Sequence, residues 1–553
     1  MNRLRQPPAT GIMEAAPTMP PAQPTATPNR PTLPPLAWAI LALSLAWCAV
    51  WFVHALGYWE DDAWIHLEFA RSLASGHGFS FNGHIVYGDT SPLWVWLLCA
   101  FHAVIPDWMH AGKTLTAFGC LFALTGVFFY SRSLVRQRLS PNAAALFAAT
   151  MVLVLVTNPY FGYWAFSGME ALTAAGLVCF GGLTVAPKQL SPARFLLGCL
   201  IAGIAPLLRP EMSFFTILLG LILLQRLLTM SPPEPEPEQN RVPRVRILGP
   251  GFSKRLLLLA TGLILFLTPF TLWGRYALHT FGMVVPNTNA AKRADPHDNI
   301  PSRLLHVYAL GFPLVLIGLA LLAAWIIYRL TRARKSDSET QPITPLLHAG
   351  GWLLFLWTAI NCVFYVLNHT YVQTRYIFVT APVLTVAVLA LAAQSWPRIY
   401  RALAAFGIIL GIALSFLSTW PLIANKVIVD REYAALAAFI RTLPPDAPVA
   451  NYSIGECAYL SEHPIVDTGG ITRPGMVPYM WDENDDRRLA WIYTQGARYW
   501  LVANQPIPGA IEVYSREIPT TGWFLNPRQY RGTDPLHLWQ LPPEPDNIKA
   551  LIP

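Results

Sequence analysis

Long apolar runs separated by short polar segments dominate this chain. The first, residues 36–56, holds about 20 residues, enough for a helix to cross about 30 Å of hydrocarbon. Ten more runs follow, at roughly 113–130, 142–157, 171–187, 195–208, 212–226, 256–273, 305–328, 347–369, 377–394 and 402–424. The first run exceeds a signal-peptide core and no small-x-small cleavage site follows it, so it reads as a retained helix. Residues 92–105 are short for a span and suit a re-entrant or interfacial helix.

Basic residues set the orientation. If 92–105 does not cross, eleven spans result. Arg132, Arg136 and Arg138, then Lys188 and Arg194, the stretch from Arg226 to Arg255, Arg329 to Lys335, and Arg398 with Arg401 then all fall on the cytoplasmic side with the N-terminus. A crossing at 92–105 would invert every later loop. The choice places 57–112, 158–170, 209–211, 274–304, 370–376 and the tail 425–553 together outside. The expected fold class is a polytopic α-helical membrane protein with about 11 transmembrane helices and a C-terminal periplasmic α/β domain.

Composition agrees. Hydrophobic residues make up 54% and charged residues 13% of 553, against roughly 25% charged in soluble chains. The net charge of +8 is spread between apolar runs, which argues for bilayer orientation and against nucleic-acid binding. Six of seven cysteines lie in apolar segments, so neither a disulfide framework nor a cysteine zinc site is expected. Residues 1–35, rich in Pro, Ala and Thr, predict a disordered cytoplasmic tail. The segment 229–254, centred on SPPEPEPEQNRVPRVR, predicts a disordered cytoplasmic loop. The transmembrane domain thus covers 36–424. In the tail, DREYAALAAFIRTL reads as a helix, and APVANYSIG, HPIVDTGG and ARYWLVAN as strand-bearing runs.

Charge in the outer loops is rare and therefore informative. Asp61 and Asp62 open a predicted helix, with Asp61 suited to the N-cap. Ile65, Phe69, Leu73 and Ala74 form its apolar stripe, His66 and Glu68 lie off it, and Gly76 and Gly78 stop it. This predicts an amphipathic helix lying at the membrane interface. Capping alone is the plain alternative for the acids, although one would suffice. Glu170 also stands at a helix start. Arg209 and Glu211 in LLRPEM suit either a local ion pair in a turn or a site. VVPNTNAAKR offers Asn287, Thr288, Asn289, Lys292 and Arg293, and TRY adds Arg375 and Tyr376. These cations lie outside, against the orientation rule. Anchoring to lipid phosphate or binding a substrate anion explains them. Acids that accept a proton, cations that hold phosphate and an apolar surround fit a sugar esterified to a polyprenyl phosphate.

At this point the sequence resembles a family. EDDAWIHLEFARSLASGHGFSFN…VYGDTSPLW is similar to the first outer loop of bacterial GT-C glycosyltransferases, closest to the mycobacterial terminal arabinofuranosyltransferase type. FSGMEA, LLRPE, VVPNTNAAK and TRYIFVTAP resemble four later motifs of that type, in order, from about residue 57 to 382. The resemblance implies a polyprenyl-phosphate sugar donor and a periplasmic active site at the plasma membrane. It implies an envelope glycan, lipid or protein acceptor. It also implies that Asp61 is the principal catalytic carboxylate, with Asp62 adjacent and Glu170 a second acid. Glu68-Phe69 and YGDT replace the family's Arg-Tyr and EGYT, so the sugar stays open between arabinofuranose, mannose and others. The resemblance implies no obligatory cofactor, and the metal question stays open: Asp61, Asp62 and Glu170 could share a divalent cation through oxygen ligands.

Two other classes compete. A transporter or flippase should show internal repeats and polar groups near midplane; here the charges fall at span ends. A polysaccharide polymerase or ligase usually displays one large late outer loop. Asp467-Thr468-Gly469 spells the aspartic-protease triplet, a weak signal as a single copy. Trp481, Trp491, Tyr493 and Trp500 suggest a carbohydrate-stacking tail, against the alternative that they form its core.

Overall fold

A computed structural model describes residues 33–187, 189–229, 250–293, 295–320, 323, 327, 348–481, 485–520, 532–545 and 548–552. The tail expected at 1–35 falls outside these except for its last three residues. Most of the segment 229–254 does too, but residues 250–254 are helical, opening a helix that the basic-rich sequence reading had begun later.

In chain order the helices are α1 (Pro35–His54), α2 (Asp61–Ala74), α3 (Pro92–His102), α4 (Trp108–Val135), α5 (Pro141–Val156), α6 (Pro159–Ala165), α7 (Ala171–Thr184), α8 (Pro192–Leu208) and α9 (Met212–Leu228). They continue with α10 (Pro250–Phe281), α11 (Thr288–Ala291), α12 (Ile300–Gly311), α13 (Pro313–Ala320), α14 (Ala349–Leu367), α15 (Thr374–Ser395), α16 (Pro397–Leu414) and α17 (Trp420–Ile440). Among the described residues six helices are long and apolar enough to cross a membrane, or eight if each of two bent pairs is one span. The apolar helices α7, α8 and α9 have 14, 17 and 17 residues, below the usual 20.

The bends have local causes. At α5–α6 the axis turns by 73°, where the Asn158 side-chain Oδ1 accepts from the Tyr160 N–H and Pro159 starts the new helix; cap and proline together restart the chain in a new direction. At α12–α13 it turns by 100°, again at a proline. All but the last two residues of α15 are buried, and it packs against α4, α7, α14 and α16. A helix apolar all round belongs at the centre of a bundle, so α15 is the axis of the core.

The last expected span and the expected tail helix form one continuous element. Residues 397–440 run unbroken through a π-turn at Ser415–Thr419. There Ser415 Oγ donates to the Thr157 carbonyl and Thr419 Oγ1 to that of Pro159. The expected boundary at 424/425 therefore lies inside α17. A short antiparallel hairpin, β1 (Ser80–Phe81) and β2 (His84–Ile85), follows α2; after α17, β3 (Val449–Asn451), α18 (Ile454–Ser461), β4 (Ile465–Asp467), α19 (Asp485–Thr494), β5 (Tyr499–Leu501), β6 (Ile511–Thr520) and β7 (Gly532–Gln540) build an α/β unit. Its sheet order is β4-β3-β5-β7-β6, with β4, β3 and β5 parallel and β7 and β6 antiparallel. Trp491, Tyr493 and Trp500 are buried in its core, so of the four proposed stacking aromatics only Trp481 is exposed. Asp467 accepts from the Gly469 and Thr472 N–H groups and from Thr472 Oγ1; the triplet closes its own turn.

One expectation is overturned. The helix α2 does not lie at an interface with a wet polar face: Ala63 through Ala70 are all buried, His66 and Glu68 included. It is covered by α3 on one side and α18 on another. The approach to α18 requires glycine, since a Cβ on Gly455 would sit 2.1 Å from the Asp61 carbonyl oxygen. Asn82, in the left-handed turn following α2, accepts from the Ile465 N–H and donates to the His463 carbonyl. These contacts clamp the C-terminal unit over the first loop.

Candidate active site

The loops that the charge pattern placed on one side converge at one end of the bundle around a pocket of about 390 Å³. Its wall is built from the start of α2, residues 88–90, the α6–α7 and α8–α9 junctions, the loop carrying α11, the α14–α15 junction, and Ile471 of the C-terminal unit.

Asp62 is the carboxylate that faces it. Lys292 Nζ stands 3.0 Å from its Oδ2, and Arg375 donates a short charge-assisted hydrogen bond to the same oxygen. Arg375 occupies the first turn of α15, where the helix dipole repels a cation; the Asp62 charge offsets that. Burial alone would raise the Asp62 carboxyl, but Arg375 and Lys292 outweigh it and hold it well below the ordinary range. Asp61 turns the other way. Its Oδ1 accepts from the Glu456 N–H in the first turn of α18, at 3.3 Å, and it is not part of the pocket wall. It is N1 of α2 and Glu60 is the N-cap, so it does not cap. Burial and the neighbouring Asp62 charge push its carboxyl up to about 7, against the lowering effect of that N–H.

Behind Asp62 runs a buried chain of charge. Asp89 Oδ2 lies 2.6 Å from His66 Nδ1, His66 Nε2 lies 3.3 Å from Glu170 Oε2, and Glu170 Oε1 accepts from Arg209 at 2.6 Å. Arg209 also pairs with Glu211 at 2.5 Å. Glu170 at the N-terminus of α7 and Arg209 at the C-terminus of α8 each suit their helix dipole. Glu170 makes no capping hydrogen bond; its partners are side chains. Burial would raise it, but Arg209 and then His66 hold it down at about 2. Burial would lower His66, yet Asp89 and Glu170 push it up to about 10, so it is an imidazolium at neutral pH.

Tyr376 places its ring between two guanidinium groups, 5.5 Å from Arg209 and 5.3 Å from Arg375. The Thr288 and Tyr365 hydroxyls line the pocket and are buried without a hydrogen-bond partner among the described residues. Such groups are costly unless a ligand or water meets them. Phe214, Val285 and Phe364 make an apolar side to the same cavity.

Of the expected site residues, Asp62, His66, Glu170, Arg209, Glu211, Thr288, Lys292, Arg375 and Tyr376 come together. Asp61, Asn287 and Arg293 do not reach the wall. The Asn287 N–H donates to the Tyr87 carbonyl, and Arg293 forms a bridge with Thr370, so both pin the loop that carries Lys292. Asp89 and Tyr365 join the site without having been singled out. The charge of Asp89 in a sparse loop was a usable signal; Tyr365, inside the apolar run of α14, gave none. A cation shared by Asp61, Asp62 and Glu170 does not fit. Each carboxylate is held by other groups, and among the described residues no cluster of three or more metal-ligating side chains exists.

No family model matches the chain, and no curated protein matches it. Solved structures do. ArnT from Cupriavidus metallidurans bound to undecaprenyl phosphate superposes with a TM-score of 0.51 at 14% identity, covering 92% of this chain and 98% of that one. Its apo state gives 0.51 at 15% identity, covering 93% and 98%. The Archaeoglobus fulgidus oligosaccharyltransferase gives 0.49 at 11% identity, covering 84% and 69%. At such identity the likeness is one of architecture, and it extends over nearly the whole length: this chain has the fold of the Cupriavidus protein.

Proposed function

We propose that the pocket is the donor site of a membrane glycosyltransferase that moves a sugar from a polyprenyl phosphate to an acceptor hydroxyl. One observation carries the reading: Asp62, Lys292, Arg375 and Arg209, from four separated segments, meet in a cavity whose other side is apolar. Three cations suit a phosphodiester, Phe214, Val285 and Phe364 suit the isoprenoid, and the unpartnered Thr288 and Tyr365 hydroxyls suit a sugar. The Cupriavidus protein of the same fold was solved with undecaprenyl phosphate, which agrees with this ligand class.

The proposed chemistry follows from the charges. Before a donor binds, Asp62 is a poor base because two cations stabilise its anion. A donor phosphate competes for Lys292 and Arg375, which loosens their hold on Asp62 and raises its basicity. Asp62 then takes the proton of the acceptor hydroxyl as that oxygen bonds to the anomeric carbon. The carbon–oxygen bond to the phosphate breaks, and the polyprenyl phosphate leaves as an anion held by Lys292, Arg375 and Arg209. Asp61, held by α18, positions Asp62 and the C-terminal unit.

The orientation belongs to the same reading. Counting α7, α8 and α9 with the longer and bent spans gives eleven crossings, with the N-terminus cytoplasmic and the site and C-terminal unit extracytoplasmic, at the plasma membrane. The motif resemblance favours arabinofuranose or mannose and an envelope glycan, lipid or protein acceptor. Purified protein incubated with a panel of polyprenyl phosphosugars should consume one of them. Asp62→Asn should slow that consumption by about 10²-fold or more, and Asp61→Asn by far less. Full turnover by Asp62→Asn would remove this carboxylate from the mechanism.

A further inference from the structure

At the end of the bundle away from the pocket, α4 and α7 end and α5 and α8 begin around a second cavity, of about 550 Å³. Arg132 and Arg136 of α4 and Arg194 of α8 line it. Among the described residues no carboxylate pairs with any of the three. Three unneutralised guanidinium groups facing one cavity repel one another unless an anion joins them. The N-termini of α5 and α8, capped by Ser140 and Ser191, open beside the same space and add to its positive potential.

Apart from Ser133 and Thr184, the rest of the wall is apolar. Phe129 and Leu197 line the cavity and are also 48% and 49% exposed on the bundle surface, where the apolar Phe118 and Leu121 of α4 and Leu200 of α8 are exposed too. Depth agrees too. Lys113 of α4 donates to the Tyr58 and Phe166 carbonyls at the pocket end, and at 1.5 Å per residue the same helix runs about 28 Å from there to Arg132, close to the hydrocarbon thickness of about 30 Å. A free inorganic anion would leave the apolar wall unused, whereas a lipid phosphate with an acyl chain uses both parts.

We propose that this cavity binds one anionic phospholipid, of the phosphatidylglycerol kind, in the leaflet opposite the candidate active site. The arginines hold the phosphate, and Phe129 and Leu197 hold the first part of an acyl chain. The inference stands on the membrane fold and is independent of the glycosyl-transfer reading.

The test uses the full chain in mixed phosphatidylcholine and phosphatidylglycerol nanodiscs, released for native mass spectrometry. One retained phosphatidylglycerol per chain is expected, enriched over phosphatidylcholine. The Arg132→Gln/Arg194→Gln variant should lose that retention by on the order of tenfold or more. Arg398→Gln, at the same end but off the cavity wall, should keep it. Arg136→Gln alone should give a smaller loss and guards against misfolding of the double variant, as does the monodispersity of each. Displacement by millimolar inorganic phosphate as readily as by lipid would overturn the proposal. So would equal loss in Arg398→Gln, or no preference for the anionic lipid. Retention that emerges only after Glu234, Glu236 and Glu238 are changed to Gln would show that the chain's own acids fill the cavity, and would also overturn it.

Discussion

Asp61 and Asp62 are neighbours in sequence with opposite electrostatic surroundings. One turn of helix holds 3.6 residues, so adjacent side chains point about 100° apart. Which of the two faces a cavity depends on Lys292, Arg375 and Glu456, all hundreds of positions away. The pair was therefore legible in the sequence as part of a candidate site, and which of the two faces the cavity was not. The buried chain from Asp89 to Glu211 makes two predictions. Arg209→Met leaves Glu170 and Glu211 without their shared cation, and breaking a buried pair from one side costs about 3–5 kcal/mol; chemical denaturation should show that loss. His66 is raised to about 10 in the folded chain against 6.5 free. Its contribution to stability is complete below pH 6.5 and lost as pH rises toward 10. Thermal midpoints measured across that window should fall, and His66→Gln should flatten the fall.

Apolar periodicity located the long helices well because their burial or lipid exposure is written in composition. Element ends were less legible. The join of α16 and α17 through a π-turn depends on hydroxyls of Ser415 and Thr419 reaching carbonyls near Thr157, contacts no local pattern announces. The burial of α2 on all sides was equally hidden, since the sequence of a helix shows its stripe but not the second partner that covers the other face. That partner is α18, and its approach is set by Gly455. Gly455→Val should therefore lower the thermal midpoint and speed proteolysis at residues 441–448. A variant as resistant as the parent would mean the two helices do not need that close approach.

At the scale of the whole molecule, the same design recurs from segment to segment: apolar helices carry a few charged residues at one end, and the fold brings those ends together. Charges at span ends stood out because each is costly near lipid, which is why Asp62, Glu170, Arg209, Lys292 and Arg375 could be picked out before any fold was known. Tyr365 could not, since a tyrosine in an apolar helix looks like core. The central claim is that Lys292 and Arg375 are shared between Asp62 and an incoming phosphate. Donor binding and transfer should be measured side by side on Asp62→Asn, with Arg375→Ala for comparison. If the claim holds, Asp62→Asn binds a polyprenyl phosphosugar as tightly as the parent or more so, while transfer falls by about 10²-fold or more, and Arg375→Ala loses donor affinity. Weakened binding by Asp62→Asn with transfer otherwise intact would contradict it.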